Sequence, residues 1–123
     1  MTLVCRGIRG ATTAESNTKE AITQATRELL EELVKANAIV PDQVAAAWFT
    51  TTRDLNAEFP AVSARKMGWE HVALMCSHEM DIPDAINKCI RVLVLVNTER
   101  RPEELRNLYL RGAKHLRNRG MTP

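Results

Sequence analysis

Cysteine is scarce in this chain. Cys5, Cys76 and Cys89 are far apart and odd in number, and no Cys-x-x-Cys occurs. A disulfide framework is therefore not expected, and a reducing, cytoplasmic compartment is. A basic run is missing too: the net charge is only +2 over 123 residues, which argues against nucleic acid as the main partner. No stretch approaches the length of a membrane span, so no membrane partner is expected. The start carries Arg6 and Arg9 and no long apolar run, so no signal peptide is expected. Internal repeats, linkers and low-complexity segments are absent. The length suits a single domain over 1–123 and not two. A chain this short buries only about two-thirds of its surface, which leaves room for core or sites shared between subunits.

Several chemistries are missing as well. Cys76, His78 and Glu79 lie close in sequence, but with Cys89 added their spacing matches no zinc pattern, so no metal is expected. His78-Glu79 does not start a His-Glu-x-x-His helix, because Ile82 stands where the second histidine belongs. A Cys76–His78 nucleophile lacks an orienting third group. Gly7-Ile8-Arg9-Gly10 lacks the glycine spacing and the lysine of a phosphate loop. What remains is a set of arginines with one carboxylate, one thiol and one tyrosine, at strand ends or in loops. Such a set binds a small dianion and a hydroxyl. It contains no evident nucleophile or general base, and no cofactor is implied.

The central stretch is Cys89 to Asn97, β-branched and aliphatic, with neither Gly nor Pro. It reads as a buried strand interrupted by Arg91. Alternation puts Ile90, Val92, Val94 and Val96 on one face and Arg91 on the other with Cys89, Leu93 and Leu95. A guanidinium there cannot shed its proton, so it must be paired in a fixed salt bridge or face a site that receives an anion.

Around it, Leu3 to Ile8 reads as a first strand, followed by Arg9. The spacing of Arg6 and Arg9 puts them on opposite faces, and Arg9 sits beside Gly7 and Gly10, where backbone can approach a ligand closely. Asn17 to Asn37 is the clearest helix, with Asn17 as its cap. Its stripe is Ile22, Ala25, Leu29 and Leu33, widened by Leu30 and Val34, and Glu31 with Lys35 forms an i,i+4 pair. Pro41-Asp42-Gln43 starts a short helical turn before a second strand, Val44 to Thr52, with Trp48 and Phe49 on opposite faces. A short helical piece bearing Arg65 ends at Gly68. Glu70 to Met75 reads as a third strand, aligning Val72, Leu74 and Cys76. Pro102-Glu103-Glu104 opens a last helix that buries Leu105, Leu108 and Tyr109 and ends at Gly112, before a loosely held tail from about 114 to 123.

Taken together, six segments resemble the small trimeric monofunctional chorismate mutases across nearly the whole chain. They are Arg6-Gly7-Ile8-Arg9-Gly10-Ala11-Thr12, Phe59-Pro60-Ala61 with Arg65, Gly68-Trp69, Cys76 with Glu79-Met80-Asp81, Cys89-Ile90-Arg91-Val92, and Tyr109-Leu110 with Leu116-Arg117. The resemblance implies an α+β fold: a mixed five-stranded sheet with helices packed on one side, three subunits forming a barrel-like homotrimer with active sites between neighbours. It implies the rearrangement of chorismate to prephenate in phenylalanine and tyrosine biosynthesis, a concerted pericyclic step without cofactor. It further implies that Arg91 donates to the ether oxygen, that Glu79 and Cys76 hold the ring hydroxyl, and that Arg9 and Tyr109 bind carboxylate or ether-side oxygens. Phe59 would form an apolar wall, with Arg65, Leu116 and Arg117 at the mouth. The chain departs from the family pattern at Val62, at Ile82-Pro83-Asp84-Ala85 and at Asn118-Arg119. A different class remains open on the residues alone: a non-catalytic trimeric binding module for small dicarboxylates.

Overall fold

The computed structural model describes residues 2–116. Five strands form one sheet in the order β3-β2-β4-β1-β5. The strands are β1 (Val4–Thr13), β2 (Val44–Thr51), β3 (Ala73–His78), β4 (Cys89–Thr98) and β5 (Leu108–Tyr109). Central β4 runs antiparallel to both β1 and β2, whereas β2/β3 and β1/β5 are parallel, so the sheet is mixed. Two helices, α1 (Lys19–Asn37) and α2 (Ala61–Lys66), pack on one face of it. No described helix is long and apolar enough to cross a membrane.

The core follows the alternation of β4. Ile90, Val92, Val94 and Val96 are buried, with Ile8 of β1, Phe49 of β2, and Leu29, Leu30 and Leu33 of α1. Gly10 lets α1 approach this closely: a Cβ there would lie 2.8 Å from Leu33 Cδ1 and 3.1 Å from Leu29 Cδ1. The opposite face of the sheet is open. Leu93 is 40% exposed and Trp48 48%, so β4 is buried on one side only and Arg91 is not a charge sealed in a core.

Local expectations are met in type and shifted in detail. Thr18, not Asn17, caps α1: its Oγ1 accepts the Ala21 N–H at 3.1 Å. Asn17 instead fastens the loop after β2, its Oδ1 accepting from the Asn56 and Ala57 N–H groups at 2.9 and 3.0 Å. Glu31 pairs with Arg27 at 2.8 Å rather than with Lys35. β1 runs on past Ile8 to Thr13, which puts Arg9 within the strand. Gly68, at φ 95°, ends the helical segment as its position predicts, but the turn continues through buried Trp69, so β3 begins at Ala73 rather than Glu70.

The last segment differs in kind. In place of one helix from Pro102 to Gly112 there is a 3-10 turn at Pro102–Glu104, the strand β5, and a second 3-10 turn at Arg111–Ala113. The cause is tertiary. Buried Asn37 clasps the Arg106 backbone from both sides: its Nδ2 donates to Arg106 O at 3.0 Å and its Oδ1 accepts from Arg106 N at 2.8 Å. The Leu110 N–H then donates to Ala11 O at 2.8 Å. These bonds hold the chain extended along β1. Tyr109 therefore belongs to a strand, half-buried, and not to the buried side of a helix. Of the expected tail, residues 117–123 lie outside the described residues.

Gly10→Ala should destabilise the protein by about 1–3 kcal/mol, the usual cost of overpacking a filled core. Gly7→Ala, whose Cβ would meet Leu93 Cδ1 at an ordinary 3.5 Å, should show no such loss. Chemical denaturation of both variants checks this.

Candidate active site

Register assembles the site. Residues directly opposite one another on neighbouring strands share a face. Ser77 of β3 stands opposite Thr50 of β2, Thr50 opposite Arg91 of β4, Arg91 opposite Ala11 of β1, and Ala11 opposite Tyr109 of β5. One row thus crosses all five strands on the open face, with the arginine in the middle. The next row is Met75, Trp48, Leu93 and Arg9. Over these two rows lies an open cleft of about 580 Å³, lined among others by Arg9, Trp48, Thr50, Glu79, Arg91, Tyr109 and Leu116. That volume suits a small organic ligand.

Glu79 follows β3 and turns back over the sheet. Its backbone N–H donates to Thr51 O at 2.8 Å, and its carboxylate Oε2 accepts from Thr50 Oγ1 at 2.7 Å. Arg91 Nε lies 3.6 Å from the same Oε2, an ion pair too long for a good hydrogen bond. The side chains are 46% and 27% exposed respectively. Both readings of Arg91 therefore hold in part: it has a carboxylate partner, yet it faces an open cleft. Arg9 is exposed on the same face of β1, and its N–H donates to Asn107 Oδ1 at 2.8 Å, which fastens β1 to the approach to β5.

Five predicted residues thus meet in one cleft: Arg9, Glu79, Arg91, Tyr109 and Leu116. Cys76 and Phe59 do not join them within the chain. Cys76 precedes Ser77, so alternation turns it to the helix side, where it packs against the core. It lines a separate hollow of about 310 Å³ with Phe59, Pro60 and His78. Burial pushes the Cys76 thiol up, while the Ala61 N–H and the Arg65 charge pull it back. Arg65 lines neither this hollow nor the arginine cleft, although its charge reaches the Cys76 thiol. Burial likewise raises the Cys89 thiol, against the opposing pull of Arg91. Arg117 lies outside the described residues. Sequence reasoning missed Trp48 and Thr50 as lining residues. Alternation from Phe49 set both on the open face, but only the register reveals what they meet.

A mixed five-stranded sheet, backed by helices and bearing two arginines and a pinned carboxylate on its open face, defines an α+β protein with a polar cleft on that face. The sequence matches the family described as Chorismate mutase type I over residues 5–119. The chain belongs to that family, one of isomerases. It is 47% identical over 113 residues to Chorismate mutase AroH of Thermus thermophilus, covering 91% of this chain and 93% of that one. It is 41% identical over 109 residues to Chorismate mutase AroH of Bacillus subtilis (strain 168), covering 88% and 86%. The solved structure of a chorismate mutase from Clostridium thermocellum superposes with a TM-score of 0.87 at 45% identity, covering 89% of this chain and 97% of that one.

A raised thiol is a poor nucleophile at neutral pH. In a Cys5→Ser background, the pH–rate profile for Cys76 alkylation should inflect above the free-thiol value of about 8.5. An inflection below it contradicts the burial argument.

Proposed function

We propose that chorismate rearranges to prephenate in the cleft above the Arg91 row, at the interface of a homotrimer. The observation that carries this reading is the position of Arg91 at the centre of a row spanning the sheet, beside a carboxylate pinned by Thr50. The reaction is intramolecular: one carbon–oxygen bond breaks, one carbon–carbon bond forms, and nothing is gained or lost. Catalysis then needs orientation and charge stabilisation. Holding the substrate folded brings the reacting carbons together. Arg91 is aimed at the ether oxygen, which becomes more negative in the transition state than in the ground state. Glu79 accepts from the ring hydroxyl, and Arg9 and Tyr109 bind carboxylate oxygens. Family membership favours turnover over the binding-module reading.

The trimer accounts for the second hollow. Phe59 is 67% exposed, Met75 59% and Trp48 48%. Met75, Trp48 and Leu93 make an apolar row immediately beside the polar one. Exposed patches of this kind mark interaction surfaces. β3 is an edge strand, so the hollow lined by Cys76 and Phe59 is accessible to a neighbour. Docking that hollow against the arginine cleft of the next subunit unites the two groups of residues in one site. In it Phe59 supplies an apolar wall, Cys76 a hydrogen bond near the hydroxyl, and Arg65, Leu116 and Arg117 the mouth.

Sedimentation equilibrium at micromolar protein should give about three times 13.8 kDa. A stable, active monomer would overturn the shared site. The loss of chorismate absorbance tests turnover directly. Arg91→Lys keeps the unit charge but moves it and loses the planar fork. It should lower kcat, more than KM, by at least the order of 10²–10³ typical of a lost oxyanion donor. Melting temperature and trimer mass should stay near wild type. If Arg91 served only to neutralise Glu79, stability would fall instead, and the folded variant would turn over chorismate normally.

A further inference from the structure

Arg111 adopts φ 50°, the left-handed region that side chains enter at a cost and that glycine usually fills. A glycine stands next to it at 112, yet the strained position carries arginine. Its guanidinium supplies the reason. Nε donates to Glu28 Oε1 at 2.9 Å and Nη2 to Glu28 Oε2 at 3.2 Å, while Nη1 lies 3.7 Å from Glu15 Oε1. Glu28 belongs to α1, and only arginine makes this forked contact. The fork holds the Glu28 carboxyl below its usual range.

The following residues are fastened too. The Gly112 N–H donates to Thr13 Oγ1 at 3.1 Å, and a Cβ at 112 would come within 3.0 Å of the Thr13 side chain. Ala113 is fully buried. The anchored turn lies between Tyr109 and Leu116, and both of these line the Arg91 cleft. A partly exposed ion pair contributes little stability by itself. Backbone strain persists where surrounding contacts over-determine it, and it concentrates at functional sites.

We infer that the Arg111–Glu28 fork is a positioning pair, which sets the turn that aims Tyr109 and Leu116 into the cleft without touching substrate itself. The inference rests on the reading of that cleft as the substrate site. Arg111 acts through Tyr109 and Leu116, so its loss should move them and then the kinetics.

Two variants test it. Arg111→Gly removes the fork and puts at φ 50° a residue that adopts it freely, so the fold is kept. Glu28→Ala removes the fork from the helix side. Tyr109 is the only tyrosine in the chain, so ring-labelled tyrosine gives one NMR reporter of the cleft wall. In both variants the melting temperature should stay near wild type and the tyrosine signals should shift alike. Their kcat/KM for chorismate should fall by at least roughly tenfold, the scale of a displaced positioning group. The double variant should be no worse than either single one. Tyr109→Phe should cost less in the Arg111→Gly background than in wild type. Glu31→Ala, which breaks an exposed pair on the same helix, should change neither readout. A folded Arg111→Gly protein with wild-type tyrosine signals and wild-type kcat/KM overturns the inference. So does a fall in melting temperature with unchanged kcat/KM for the folded fraction. If the wild-type protein fails to turn over chorismate, the reading of the cleft fails, and the tyrosine signals still decide whether the fork positions its wall.

Discussion

Everything at the cleft depends on how β4 is paired. It is hydrogen-bonded to β1 on one side and β2 on the other, antiparallel to both. A slip of one residue would turn Val92 and Val94 to the open face and drive Arg91 under α1. The core forbids this from two directions. It would lose its largest aliphatic row, and it would bury a guanidinium with no partner there. The apolar pattern thus does more than stabilise the sheet, because it fixes which way the one charged side chain of that pattern points. Thr50, Ala11 and Tyr109 are then aligned by the ladder itself. Only Glu79 needs a contact of its own, and Thr50 provides it.

The parts legible in the sequence are those whose signals are local. The apolar stripe of α1, the alternation of β4 and the glycine stop at 68 each depend on a few consecutive residues. The segment after Pro102 was not legible, because the spacing of Leu105, Leu108 and Tyr109 satisfies a helix as well as a docked strand. What decides between them is Asn37, a polar side chain some seventy positions away that captures the Arg106 backbone. The split of the candidate site was hidden for a similar reason. Cys76 and Glu79 look like neighbours on paper, but strand alternation sends the thiol to the helix side while the carboxylate turns back over the open face.

The electrostatics of the cleft are unfinished in the isolated chain. Arg91 is nearly half exposed, and a charge in contact with water has its field strongly screened. A covering surface would exclude that water and strengthen the same charge without moving it. In the proposed trimer, subunit contact therefore serves catalysis directly, since the apolar row of Met75, Trp48 and Leu93 draws the neighbour onto the face that carries the arginines. The partial pairing with Glu79 fits this arrangement. A carboxylate 3.6 Å away steadies the guanidinium without capturing it.

The ladder between β2 and β4 contains one irregularity, a shift between Val44 and Ala46. Val44 lies opposite Val96 and Ala46 opposite Leu95, which leaves Ala45 as the extra residue. Such a bulge resets the phase of the strand. Val44 can face the core at one end while Ala47, Phe49 and Thr51 face it at the other. If Ala45 were deleted, the two halves would join in regular alternation and Thr50 would still stand opposite Arg91. If any one residue from Ala47 to Phe49 were deleted, the strand would be inverted on one side of the gap. β2 thus carries its own expansion joint, placed at the end remote from the chemistry. Changes in chain length arriving from the connection after α1 can be absorbed there before they reach the row that holds the charge.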